Sequence, residues 1–95
     1  MNHINNKEIK KLKDYFDSNQ DEYEIAKWED DNFNIHVDLE YIRLSFLTSN
    51  FSLGGHEGLI EFYNFRDEPV GYLTADEAIE LYEDIILKNS WWVEL

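Results

Sequence analysis

The sequence predicts an α+β domain: one antiparallel sheet of four to five strands with an N-terminal and a C-terminal helix, in the order α-β-β-β-β-β-α. Three observations predict it. Apolar residues recur at helical spacing near both ends of the chain, at Ile9, Leu12, Tyr15 and Phe16 and again at Ala75, Ala78, Ile79, Tyr82, Ile85 and Ile86. Between them the pattern has a period of two, most cleanly where Phe33, Ile35, Val37 and Leu39 interleave with Asn34, His36, Asp38 and Glu40. The connections between apolar runs are short, which favours antiparallel pairing. The 95 residues form a single acidic domain over 1–95, large enough for one modest core.

Residues 6–18 read as the first helix, with Asn5 or Asn6 as cap and Glu8 placed to support Asn5 in a box-like arrangement. Ser18-Asn19-Gln20-Asp21 ends it. Residues 22–29 read as a strand with Tyr23 and Ile25 on one face and Glu22, Glu24, Ala26 and Trp28 on the other; Asp30-Asp31-Asn32 turns it into the alternating strand 33–40. A third strand spans 41–47, with Ile42, Leu44 and Phe46 on one face. A loop over 48–58 contains Phe51, Leu53 and three of the four glycines. A fourth strand spans 59–65, Arg66-Asp67-Glu68-Pro69 is a turn, and a short fifth strand spans 70–73. Thr74-Ala75-Asp76-Glu77 matches a capping box and starts the last helix. Lys88 suits its C-terminal end, Asn89 reads as the left-handed residue that stops it, and Ser90 to Leu95 reads as a tail in which adjacent Trp91 and Trp92 point to opposite sides.

Charge sets the functional bounds. Twenty-one acidic residues face 8 basic ones, a net charge of −13. With 43% hydrophobic and 16% aromatic residues the chain is no disordered acidic tail. Direct nucleic-acid binding and binding to an anionic membrane are disfavoured, since both depend on Lys and Arg. No apolar run is long enough to span a bilayer, and the first residues lack the apolar stretch of a secretory signal. The absence of cysteine removes disulfides, thiolate metal sites and Cys nucleophiles, and a cytoplasmic location is expected.

The charge is unevenly spread. Residues 1–13 hold four lysines against Glu8, whereas residues 14–95 hold 20 acids and 4 bases. Asp21, Glu22, Glu24, Glu29, Asp30 and Asp31 put six acids in eleven residues; Asp76, Glu77, Glu80, Glu83 and Asp84 put five in nine. Like charges at these helical spacings repel by about 0.2–0.5 kcal/mol per close pair.

The motifs of catalysis are weak beside this. His36 and Asp38 share one strand face and form a conceivable chelate, but a solvated histidine on a polar face is the ordinary reading. Asp30-Asp31-Asn32 lacks the spacing, glycine and terminal Glu of a calcium loop. Ser45, Ser49 and Ser52 have no nucleophile-elbow context, and a carboxylate pair has no specificity among 21 acids. The Gly54-Gly55-His56-Glu57-Gly58 segment lacks the Lys-Ser/Thr of a phosphate loop and reads as a connection in which glycine supplies positive φ, still able to serve as a contact element. No enzyme activity, metal or cofactor is expected.

The expected function is binding to a basic protein, with charge steering the encounter and aromatics holding it. The expected surface is Asp21, Glu22, Glu24, Trp28, Glu29, Asp30, Asp31, Asp76, Glu80, Glu83, Asp84, Trp91 and Trp92. By class-level analogy the chain is an acidic nucleic-acid mimic that inhibits a nuclease or other nucleic-acid-dependent enzyme, as phage-encoded anti-CRISPR or anti-nuclease proteins do. An immunity protein or antitoxin against a basic nuclease toxin is the alternative. A small enzyme or ligand-binding domain is a third, and it requires a concave pocket with converging polar groups and a perturbed pKa, where the first two expect a convex or ridged surface. The lysine-rich first helix offers a contact for an acidic neighbour or for a guide nucleic acid held by the target.

Overall fold

A computed structural model describes residues 7–19, 22–27, 33–39, 42–49 and 51–94, with backbone alone for residues 26, 27 and 88–94. The elements follow the expected order: α1 (Lys7–Ser18), β1 (Glu24–Lys27), β2 (Phe33–Asp38), β3 (Arg43–Thr48), β4 (Ile60–Tyr63), β5 (Val70–Leu73) and α2 (Ala75–Glu94). A short 3-10 turn, Gly55–Glu57, lies in the loop between β3 and β4. All four strand pairings are antiparallel, and the strands lie side by side in chain order.

Register follows from alternation. Ile35 pairs with Phe46, Val37 with Leu44 and Phe46 with Phe62, so these side chains share the face that the helices cover. Ile9, Leu12 and Phe16 of α1 and Ala75, Ala78 and Tyr82 of α2 complete the core, and all are buried. Phe16 is its centre, with its ring 5.0 Å from Tyr82, 5.8 Å from Phe46 and 5.8 Å from Tyr23. α1 packs on α2 and β3, and α2 packs on β4 and β5. The opposite sheet face carries Glu24, His36, Asp38, Arg43, Ser45, Glu61 and Tyr63, in register across four strands.

Several boundaries differ from expectation, each for a local reason. β4 stops at Tyr63 because Asn64 builds a turn. Its Oδ1 accepts from the N–H groups of Arg66 and Asp67, at 3.0 and 2.8 Å, and Phe65 takes φ 63, outside the β region. β3 runs to Thr48, which is buried with its hydroxyl donating to the Leu59 carbonyl. Asn89 does not end the last helix. α2 continues to Glu94 and carries Trp91 and Trp92 on helical backbone, so the expected tail is helix; no glycine or proline follows Gly71 to stop it. Glu8 supports a different helix from the one expected, since its Oε1 accepts from the Ala75 N–H at 2.8 Å. The proposed Asn5 and Asn6 caps lie outside the described residues, as does the Asp30-Asp31-Asn32 turn.

The loop between β3 and β4 is a built structure. The Ser52 hydroxyl accepts from the Ser49 N–H at 2.9 Å and donates to the Ser49 carbonyl at 3.0 Å. Gly55 is required here, because a Cβ at that position would lie 1.7 Å from the Ser49 carbonyl oxygen. Gly54 takes φ 87, and its glycine supplies the positive φ expected of this segment. The Leu53 N–H donates to Glu61 Oε1, and the Leu53 carbonyl accepts from the Tyr72 N–H, fixing the loop to β4 and β5.

Candidate protein-binding surface

The capping box of α2 forms as its sequence requires. The Glu77 N–H donates to Thr74 Oγ1 at 3.2 Å, and the Thr74 N–H donates to Glu77 Oε1 at 3.0 Å. This fixes the helix start and so the azimuth of every later side chain. Asp76, Glu77, Glu80, Glu83 and Asp84 are all exposed. Glu80 stands among them with an acid at i−4, i−3, i+3 and i+4. Two of the five are tied to α1: Lys11 Nζ lies 3.0 Å from Asp76 Oδ1, and the Tyr15 hydroxyl donates to Glu83 Oε2 at 2.9 Å. The lysine-rich helix packs on α2, and Lys11 serves an acid of this same chain.

Beside these carboxylates runs an open groove of about 580 Å³ between β5 and α2. Its apolar lining is Val70 and Leu73 from the strand and Leu81 and Leu87 from the helix; Glu77, Glu80, Glu83 and Asp84 line the rest. Val70 is 45% exposed and Leu87 66%, high values for aliphatic side chains in a chain this polar. Leu87 was legible in part, since it falls outside the helix's apolar stripe among acidic neighbours. Nothing in the strand pattern distinguishes Val70.

The other acidic cluster lies elsewhere. Glu22 and Glu24 are exposed, and with Tyr23, His36 and Asp38 they line an open hollow of about 450 Å³ at the β1 edge. β1 and β5 are the two edges of the sheet, so Glu22 and Glu24 do not form one continuous row with the acids of α2. Asp21, Trp28, Glu29, Asp30 and Asp31 lie outside the described residues, as do the side chains of Trp91 and Trp92.

The hollow is concave, contrary to the convex or ridged surface expected of a binding protein, it holds the perturbed imidazole of His36, and Arg43 engages both His36 and Asp38. Arg43 Nη2 lies 2.9 Å from His36 Nδ1, and Arg43 Nε lies 3.3 Å from Asp38 Oδ1. The guanidinium thus occupies the space between the two residues that sequence pairs as a chelate, which rules out that pairing in this arrangement. Burial and then the Arg43 charge hold the imidazole below its ordinary pKa. Among the described residues, no three His, Asp or Glu side chains converge to hold a metal ion, and no helix is long and apolar enough to cross a membrane.

Three exposed aromatics carry no signal in the sequence pattern that marks them as surface residues. Phe51 is 95% exposed on the serine-tied loop, with its N–H donating to Ser49 Oγ. Phe65 and Tyr72 are exposed at positive φ, and the Phe65 ring lies tilted against Tyr63 with centroids 4.7 Å apart. No family model, curated protein or solved structure matches this chain.

Proposed function

We propose that this protein is a small cytoplasmic inhibitor, not an enzyme, that binds the basic surface of a nucleic-acid-dependent enzyme, its carboxylates standing where substrate phosphates would lie. The carrying observation is the spacing of charge on α2. Five exposed carboxylates from Asp76 to Asp84 occupy about 12 Å of helix axis, at 1.5 Å per residue. That is about one charge per 3 Å, against about 3.4 Å per phosphate along one strand of a duplex. Glu80 supports the reading, because four acids surround it at i±3 and i±4 and each close pair costs the helix about 0.2–0.5 kcal/mol. Stability alone favours a lysine there, and a site that gives up stability for binding explains why an acid stands instead.

The test is affinity capture with the full chain at low and high salt, then assay of the recovered enzyme. The expected result is a nuclease or other nucleic-acid-binding enzyme, captured at about 50 mM salt and released well below 1 M, whose activity the protein blocks and from which duplex DNA or RNA displaces it. In the same assay Glu80→Lys slows association by roughly tenfold while stability is unchanged or raised. An acidic partner, or capture indifferent to salt, refutes the proposal.

A further inference from the structure

We infer that the groove between β5 and α2 receives an amphipathic basic helix of the partner protein, its apolar side chains seated on Val70, Leu73, Leu81 and Leu87 and its lysines or arginines paired with the carboxylates at the margin. This rests on the reading of a basic partner and names the part of that partner that docks.

Three features select this occupant. The apolar lining excludes a plain polycation, which leaves Val70 and Leu87 in water and gains nothing from them. The exposed carboxylates along the margin, Glu80 at their centre, exclude a purely apolar segment, which would strip water from their charge and return no opposite charge. A segment with both faces satisfies both, and Glu77, Glu80, Asp84 and Leu87 succeed one another at i, i+3, i+7 and i+10 along one side of the helix, a track of about 15 Å that about ten helical residues would match.

The edge of β5 disfavours strand addition. Tyr72 leaves the β region at φ 60, the pairing with β4 shifts register there, and the Tyr72 N–H is already given to the Leu53 carbonyl. A second copy of this chain is a poor occupant as well. Its described basic helix is α1, whose Ile9, Leu12 and Phe16 are spent on its own core.

The experiment uses the full chain and three synthetic probes: a peptide of about 18 residues with leucine on one helical face and lysine on the other, a scrambled peptide of the same composition, and oligolysine of equal length. Fluorescence anisotropy gives affinity, and amide chemical-shift mapping gives location. The patterned peptide is expected to bind at least about tenfold tighter than either control, with shifts centred on Val70, Leu73, Leu81 and Leu87. Leu87→Gln, at an exposed position with good helix propensity, is expected to remove that advantage and leave the circular dichroism spectrum unchanged. Equal binding of all three probes overturns the inference while sparing the basic-partner reading, because charge alone would then suffice. Failure of every probe to bind overturns both. A concentration-dependent dimer broken by Leu87→Gln overturns the inference by showing that the groove is filled by the chain itself.

Discussion

Arg43 can only donate, so its contact with His36 Nδ1 requires an imidazole that is neutral and carries its proton on Nε2. Desolvation comes first among the causes that lower the His36 pKa, and the Arg43 charge second; Glu24 and Asp38 pull weakly the other way. A folded pKa below the unfolded one means that the native state resists the proton. The contribution of His36 to stability is therefore fully present above the ordinary value near 6.5 and is lost as pH falls through the lowered folded value. Asp17, held low first by the Tyr23 hydroxyl and then by Lys13, and Tyr23, raised first by its bond to Asp17, titrate outside that window. Urea unfolding at about pH 7.5 and pH 5.5 is expected to show a larger loss of stability for the native chain than for His36→Gln. Equal losses would mean that His36 takes up its proton equally readily in the folded and unfolded chains, so that burial and Arg43 do not depress its pKa. The alternation of residues 33–40 placed His36 and Asp38 on one sheet face, but the cation between them comes from the next strand, and pairing register is a property that period-two patterning does not state.

Between elements, the bond from Ala75 N–H to Glu8 ties the first turn of α2 to α1 across 67 positions of sequence. That N–H is one of the four orphan donors of a helix start and belongs to a buried residue, so losing its acceptor costs about 1–2 kcal/mol. Glu8→Ala is expected to lower the unfolding free energy by that amount, or the melting temperature by about 4–8 °C for each kcal/mol, and Glu8→Gln by less than half as much. A change within about 0.5 kcal/mol for Glu8→Ala would class the contact with ordinary surface positions. The local half of this arrangement was legible: Thr74 and Glu77 meet because a capping box joins residues three apart. Spacing reports only neighbours in the chain, so it pairs Glu8 with Asn5 and not with α2. The same limit separates what was readable of the site. The helical phase of Asp76, Glu80, Glu83 and Asp84 follows from 3.6-residue periodicity, whereas the groove needs β5 beside α2, and the distance between the two acidic clusters needs the strand order. Asn89 misled for a different reason, since an asparagine stops a helix only where its left-handed conformation is stabilised.

At the scale of the molecule, a net charge of −13 acts on the free chain and on any complex with opposite signs. In the free chain most pairs of charges repel, and three attractions among the described residues, Lys11 with Asp76, Lys13 with Asp17 and Arg43 with Asp38, are exposed. Exposed pairs contribute about 0–1 kcal/mol each, so their loss on screening is small beside the relief of repulsion among the acids. Raising NaCl from about 10 mM to 1 M shortens the screening length from about 30 to 3 Å, and it is expected to raise the melting temperature by several degrees. A falling melting temperature would show that the ion pairs outweigh the excess charge. For a complex with a basic partner the same salt removes attraction, so affinity is expected to fall over the range in which the free protein becomes more stable. This opposition makes the capture experiment decisive. Release at high salt cannot be assigned to unfolding of a protein that salt stabilises, and any binding that survives there must be held by apolar contact. Val70 and Leu87 in the groove are the described aliphatic side chains placed to supply that remainder beside the carboxylates, so Leu87→Gln should weaken binding most in relative terms at high salt and Glu80→Lys most at low salt.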